Sequence, residues 1–216
     1  MATRITPVTP SPLLEQTLII FKPEAVKRGC VFEILRRFAR KGLWLNDFQK
    51  MTLSKTVLQS HYRDLVKEKP AIAKKVIEYM ASYPVYLGVV EGINAVNATI
   101  QLTGEKTDPN QCHPGTIRFD YSSDTYAAAD TESRSLYNLI HRSDGITSAK
   151  REVALWLPEI KKIQQIEKST SHSSFFHDVK KSMHRTSLDT FERILIIAVL
   201  AGLSCMAVIV VLVLIL

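Results

Sequence analysis

Asn138-Leu139-Ile140-His141-Arg142-Ser143-Asp144 is the stretch on which the reading of this chain turns. An apolar pair precedes one histidine, and small and acidic polar residues follow it. The pattern predicts a short buried strand that delivers an imidazole to the mouth of a pocket. Eleven positions on, Glu152 falls in a predicted helix that begins near Thr147 and Ser148. A carboxylate so placed can hold one ring nitrogen and leave the other free to attack.

Outward from this point, the chain alternates strand and helix signals. Thr17 to Phe21 is a short β-rich run that Lys22-Pro23 stops. Val26, Val31, Ile34, Leu35 and Phe38 recur at helical spacing over 24–42, with Gly42 as the C-terminal cap. Trp44 to Leu53 alternates as a second strand, and Ser54 caps a helix through Tyr62 and Leu65. Pro70 opens another helix carrying Ile72, Val76, Ile77 and Met80. Val85 to Val90 is a continuous apolar run, read as a buried central strand, and 94–102 as a short helix. Residues 104–137 hold many turn formers and few apolar periods, which predicts a long loop of the kind that carries function. Leu139 and Ile140 make a fourth strand and Ser148 to Trp156 a last helix. Four strand–helix alternations predict an α+β fold, a split βαβ, ferredoxin-like α/β sandwich with a four-stranded antiparallel sheet.

The 216 residues and 24.4 kDa suit one ordinary domain plus appendages. No charge occurs from Ile194 to Leu216. As a helix that segment would be roughly 34 Å long, enough for a bilayer core of about 30 Å. Lys180, Lys181, Arg185 and Arg193 precede it, so the positive-inside bias places the remainder on the cytoplasmic side. Met1 to Glu15 has no apolar run after its basic residue and does not read as a secretory signal. The expected organisation is a flexible arm at 1–14, a folded domain at 15–159, a polar and basic linker at 160–193 and a C-terminal transmembrane helix at 194–216. The net charge of +7 is scattered rather than arranged with aromatics. That argues against nucleic acid and suits small phosphate-bearing ligands. Cys30, Cys112 and Cys205 show no metal-ligand spacing, and Cys205 lies in the apolar tail. This fits a reducing cytosol without a disulfide framework.

Several separated stretches together resemble the nucleoside diphosphate kinases, from about Glu15 to Glu159. They are Thr17-Leu18-Ile19-Ile20-Phe21-Lys22-Pro23-Glu24-Ala25-Val26, His61-Tyr62, and Gly92-Ile93-Asn94-Ala95-Val96. Thr107-Asp108-Pro109, Pro114-Gly115-Thr116-Ile117-Arg118 and Asn138-Leu139-Ile140-His141 continue the series. Ser143-Asp144 and Ser148-Ala149 through Glu152 and Trp156 complete it. The resemblance implies the same ferredoxin-like fold. It also implies transfer of the terminal phosphoryl group from a nucleoside triphosphate to a nucleoside diphosphate, with ping-pong kinetics through a phosphohistidine. On that basis His141 is the nucleophile, Glu152 its orienting carboxylate and Lys22 a contact to the transferring phosphate. Arg118 and Thr107 would hold the phosphate chain, Tyr62 would lie beside it and Asn138 would meet the sugar. Mg²⁺ would arrive with the nucleotide and need no dedicated carboxylate cage. A homo-oligomer, hexamer or tetramer, is implied as well, and several membrane anchors on one oligomer would add avidity at the lipid bilayer.

The chain departs from the family pattern in its grip on the nucleotide. Ile100 stands where the family has a second phosphate-binding arginine, and Ala71 where it has a base-stacking phenylalanine, with Ile72 as a substitute. The connection from Arg118 to Asn138 is longer than the common form and brings Tyr121, Tyr126 and Tyr137; two expectations follow, that a tyrosine restores stacking or that the pocket is altered. Arg142 replaces a small residue and is expected to supply the missing charge. A second expectation therefore stands beside the kinase: a catalytically weakened nucleotide-binding or scaffold domain tethered to a membrane.

Overall fold

The structure, a computed structural model, describes residues 14–185, with side chains through Glu167. Residues 1–13 of the expected arm, the end of the expected linker and the expected transmembrane span at 194–216 lie outside the described residues. Among those described, no helix is long and apolar enough to cross a membrane.

Four antiparallel strands, β1 (Leu14–Phe21), β2 (Trp44–Met51), β3 (Val85–Ile93) and β4 (Ile140–Arg142), form one sheet in the order β2-β3-β1-β4. This is the sheet that the alternation of elements predicts. Residue 14, assigned to the arm from sequence, already belongs to β1. Side chains alternate across a strand, so Leu18 and Ile20 face one side of the sheet and Ile19 and Phe21 the other. Both sides are covered, which is why β1 reads as an unbroken apolar run. Leu18 and Ile20 pack with Leu58, Ile77, Met80 and Trp156, and Ile19 and Phe21 pack with Ile34, Phe38 and Ile117. Fully burying one such aliphatic side chain contributes roughly 1.5–3 kcal/mol.

The helices differ from expectation in four places. The predicted helix at 24–42 is two, α1 (Pro23–Lys27) and α2 (Val31–Arg40), because Gly29 turns the chain at φ 70°. The second predicted helix is likewise divided at Tyr62 into α3 (Lys55–His61), capped by Ser54, and α4 (Arg63–Glu68). After α5 (Pro70–Ala81) and α6 (Ala95–Thr103), the segment predicted as a loop carries a 3-10 turn at Pro109–Gln111 and two short helices. These are α7 (Ile117–Tyr121) and α8 (Tyr126–Thr131); the Thr125 hydroxyl caps α8 by accepting from the Ala128 N–H at 3.0 Å.

The last helix, α9 (Ile146–Arg185), continues through the segment read as a linker from 160. The chain divides into two units after Gln164. Ile160 is fully buried in the core beside Trp156, so the folded domain extends beyond the predicted boundary at 159.

Candidate active site

β4 is only three residues long, and its entry is unusual. Leu139 has φ 68°, and the Ile140 N–H donates to the Asn138 carbonyl at 2.8 Å, closing a tight three-residue turn. A buried leucine in that region costs on the order of 1–3 kcal/mol and persists only where its surroundings dictate it. Here both backbone groups of Leu139 are held by the start of α1, just after β1. Its N–H donates to the Glu24 carboxylate at 2.7 Å, and its carbonyl accepts from the Lys22 N–H at 2.8 Å. The other oxygen of Glu24 accepts from the Tyr79 hydroxyl. Strand pairing then sets Ile20 opposite His141.

His141 Nε2 lies 3.0 Å from Glu152 Oε2. Glu152 is 3 % exposed, and the same oxygen accepts from the Ser143 hydroxyl at 2.8 Å, while Oε1 accepts from Arg151 at 3.2 Å. Burial alone would raise this carboxyl. The hydrogen bonds from His141 and Ser143 and the nearby imidazoles outweigh it and hold the pKa at about 2. An ionised carboxylate only accepts, so His141 donates from Nε2 and its Nδ1 keeps a lone pair.

His61 stands edge to face with His141, ring centroids 4.5 Å apart. Its Nδ1 accepts from the Trp156 indole N–H at 3.0 Å. Burial, and then the neighbouring His141, push the His61 pKa down to about 3, so it stays neutral. Arg151 ties the pair together by donating to the His61 carbonyl at 3.0 Å.

Lys22, at the end of β1, is 8 % exposed and donates to Asn138 Oδ1 at 2.5 Å. The Asn138 amide in turn donates to the Thr107 carbonyl at 2.7 Å. Burial lowers the Lys22 pKa to about 8; Glu24 opposes this and Arg118 adds to it. Arg118 fans out to three backbone carbonyls, those of Lys106 at 2.7 Å, Ile140 at 3.1 Å and Gly104 at 3.2 Å. It thereby pins the loop after α6 to β4. Burial lowers its pKa to about 10, with Arg142 the next cause. Burial pushes the Tyr62 phenol well above its usual range.

All seven residues named from the sequence, Lys22, Tyr62, Thr107, Arg118, Asn138, His141 and Glu152, border one cleft of about 500 Å³. Ile72 and Arg142 border it too. Of the three tyrosines in the longer connection only Tyr126 borders the cleft. The Tyr121 hydroxyl donates to Glu33, and Tyr137 lies against Tyr79 and under the Arg134 guanidinium. Arg134 grips Asp124 through two bonds of 2.6 and 2.9 Å, which fastens this segment across its own fold. Sequence reasoning passed over Ser143, Arg151, Glu24 and His61 as shapers of the site. All four stood within the quoted motifs, but nothing in those motifs marks the distant groups that they hold. Cys30 and Cys112 are buried and unbridged.

A cleft that presents a bare imidazole nitrogen beside a buried lysine and arginine is equipped to receive a phosphoryl group. Comparison with known proteins agrees. The family model for nucleoside diphosphate kinase matches residues 15–162. Nucleoside diphosphate kinase of Caldanaerobacter subterraneus subsp. tengcongensis is 44 % identical over 147 residues, covering 68 % of this chain and 96 % of that protein. Nucleoside diphosphate kinase 1 of Glycine max is 38 % identical over 145 residues, 67 % of this chain and 89 % of that protein. Among solved structures, a transition-state mimic of the Borrelia burgdorferi enzyme with bound vanadate and ADP superposes with a TM-score of 0.64 at 33 % identity, covering 68 % of this chain and 88 % of that one. An NDP kinase from Pyrobaculum aerophilum gives a TM-score of 0.61 at 30 % identity, over 66 % of this chain and 95 % of that one. With this site on this fold, the chain belongs to the nucleoside diphosphate kinase family.

Proposed function

We propose that the family's phosphoryl transfer runs in this chain through His141 Nδ1, in two half-reactions of a ping-pong cycle. The observation that carries this reading is the Nε2–Glu152 hydrogen bond, which leaves Nδ1 as the free nucleophile in a cleft lined by Lys22 and Arg118. In the first half-reaction the Nδ1 lone pair attacks the terminal phosphorus of a nucleoside triphosphate, and the bond from that phosphorus to its bridging oxygen breaks. The nucleoside diphosphate leaves with the electron pair. His141 then carries the phosphoryl group on Nδ1 while Glu152 balances the charge gathering on the ring through Nε2–H. In the second half-reaction a terminal oxygen of another nucleoside diphosphate attacks the same phosphorus, and the P–N bond returns its electrons to Nδ1. Lys22 and Arg118 meet phosphate oxygens, Thr107 and Tyr62 border the same path, and Asn138 positions Lys22 while facing the sugar end. Ile72, with Tyr126 from the longer connection, offers the apolar surface for the base.

Mg²⁺ bound with the nucleotide would neutralise phosphate charge. Glu152, the deeply buried carboxylate of the cleft, is engaged by His141, Ser143 and Arg151, so such a cation would be held by phosphate oxygens and water rather than by that side chain. Asp64 and Asp144 are open to solvent. The His61, His141 and Glu152 trio is rich in nitrogen, which does not suit a hard cation that prefers oxygen and water.

The test is to incubate the full chain with γ-labelled ATP and Mg²⁺, then follow acid-labile, alkali-stable label. Label is expected on the wild type, absent from His141→Ala, and discharged by a second nucleoside diphosphate. Label that survives His141→Ala defeats the mechanism.

We propose further that residues 194–216 anchor the domain in a lipid bilayer with the catalytic domain facing the cytoplasm, and that the domain assembles as a homo-oligomer, hexamer or tetramer. The uncharged run in the sequence and the basic residues before it support the anchor. Exposed Phe32, Trp44 and Ile93 support association. Release of the full chain from membranes by alkaline carbonate would rule out the anchor.

A further inference from the structure

We propose that Arg142 is a nucleotide-binding residue of this chain, forming with Arg118 a paired guanidinium seat for the phosphate chain of the nucleoside di- or triphosphate. The inference rests on the reading of this cleft as the nucleotide site.

Arg142 closes β4 directly after the nucleophile and borders the same cleft. Its side chain is 6 % exposed. Nη2 donates to the Glu105 carbonyl at 3.2 Å and Nη1 to the Ser143 carbonyl at 3.4 Å. Its one ion pair among the described residues is with Asp144, a side chain that is 86 % exposed and therefore heavily screened by water. Nε is buried with no partner. Arg118 is in the same condition. It donates to carbonyls, forms no ion pair with a carboxylate among the described residues, and leaves its own Nε buried and unpartnered.

Arg118 and Arg142 both reach the loop at 104–106, so the two guanidiniums approach each other there, and the charge of Arg142 contributes to the lowered pKa of Arg118. Two desolvated like charges without a buried anion are unfavourable on their own. The buried carboxylate of the cleft does not relieve them, since Glu152 is spent on His141, Ser143 and Arg151. A diphosphate relieves both, because each planar fork matches a pair of phosphate oxygens. That unit is common to the phosphoryl donor and acceptor, so the seat serves both half-reactions.

A purely structural Arg142 would only hold the end of β4 to the loop at 104–106. The two roles separate experimentally with Arg142→Gln and Arg142→Lys in the full chain. Two readouts are needed: calorimetric affinity for ADP with Mg²⁺, and the rate of His141 phosphorylation from ATP against phosphoramidate, a small donor with no nucleotide phosphate chain. Arg142→Gln is expected to lower ADP affinity, and kcat/KM toward both donor and acceptor, by about tenfold to a hundredfold, the scale of one charge-assisted contact. Phosphoramidate labelling is expected to stay at the wild-type rate, and Arg142→Lys to recover part of the affinity. Wild-type ADP affinity in Arg142→Gln overturns the proposal. So does an equal loss of ATP and phosphoramidate labelling, which would mark a structural pin. If the wild type accepts label from neither donor, the phosphohistidine mechanism fails instead, and ADP affinity still decides the role of Arg142.

Discussion

Replacing Lys22 by methionine should make the folded domain more stable while removing its activity. The side chain is 8 % exposed, and burial lowers its pKa from 10.5 to about 8. At about 1.4 kcal/mol per pKa unit, keeping this ammonium charged in the fold costs about 3 kcal/mol at pH 7. The substitution also gives up the 2.5 Å bond to Asn138, a loss of about 1 kcal/mol. The net expectation is a gain of about 2 kcal/mol, or a rise in Tm of about 4–8 °C for a domain of this size. The pH dependence has a definite sign. Between about pH 8 and 10.5 the unfolded chain holds a proton that folded Lys22 has released, so wild-type stability rises with pH across that window. The advantage of the variant is therefore full below about pH 8 and fades toward pH 10.5. Thermal melts of the full chain at one protein concentration, in phosphate-free buffer at pH 7 and pH 10.5, test this directly. A variant no more stable than wild type at pH 7, or one whose advantage persists undiminished at pH 10.5, would refute the reasoning.

Other perturbations follow from the same geometry. Glu152→Gln removes a carboxylate held at about pKa 2, whose contribution is fully present above about pH 4.5 and disappears as pH falls toward 2. Urea midpoints should show a loss of about 2–3 kcal/mol at pH 7 that vanishes near pH 2, together with slowed phosphorylation of His141. Binding of ADP with Mg²⁺ at pH 8 should draw roughly half a proton from solution, as phosphate oxygens restore the charge of Lys22. Calorimetry in buffers of different ionisation enthalpy reads this uptake, and Lys22→Met should abolish it. Trp156→Phe keeps most of the packing but leaves His61 Nδ1 without its donor. A loss of about 1–3 kcal/mol is expected, with a changed His61 tautomer visible in the nitrogen chemical shifts.

The parts of this molecule legible in its sequence are those where chemistry and periodicity are local. β1 announces itself as an apolar run because helices cover both faces of the sheet, and β4 because Leu139 and Ile140 precede a histidine. The break between α1 and α2 was legible at Gly29 but was outweighed by the helical spacing of Val26, Val31 and Ile34. The helices α7 and α8 were missed because each is little more than a single turn; the Thr125 cap of α8 was the available signal. The charged residues from Glu159 on read as a linker, yet α9 runs through Pro158 and is anchored by the buried Trp156 and Ile160. At the site, the reacting groups were readable because their types are scarce and their order specific. Their supports were not. That Glu24 holds the Leu139 N–H, that Arg151 bridges His61 and Glu152, and that Arg118 and Arg142 both reach the loop at 104–106 are facts of tertiary approach between distant segments.

These supports divide the site into two mechanically different halves. His141 and Lys22 sit on β4 and the end of β1, which are hydrogen-bonded to each other, with Ile20 paired to His141 and the Lys22 N–H bound to the Leu139 carbonyl. The distance from the His141 imidazole to the Lys22 ammonium is therefore set by strand pairing inside the core. Thr107, Tyr126 and Arg134 ride instead on the segment from 104 to 137, which is fastened by bonds within itself, by the Arg118 fan and by Arg28, Glu33 and Arg37 beside it. A sequence drifting in that second segment can exchange an aromatic or lengthen a connection without displacing the imidazole. Substitutions there should chiefly alter KM and base preference, whereas substitutions at the β1–β4 junction should chiefly alter kcat. Ala71, Ile100 and the long connection lie off that junction's hydrogen bonds, whereas Arg142 pairs with Ile19 within it and borders the cleft with its side chain.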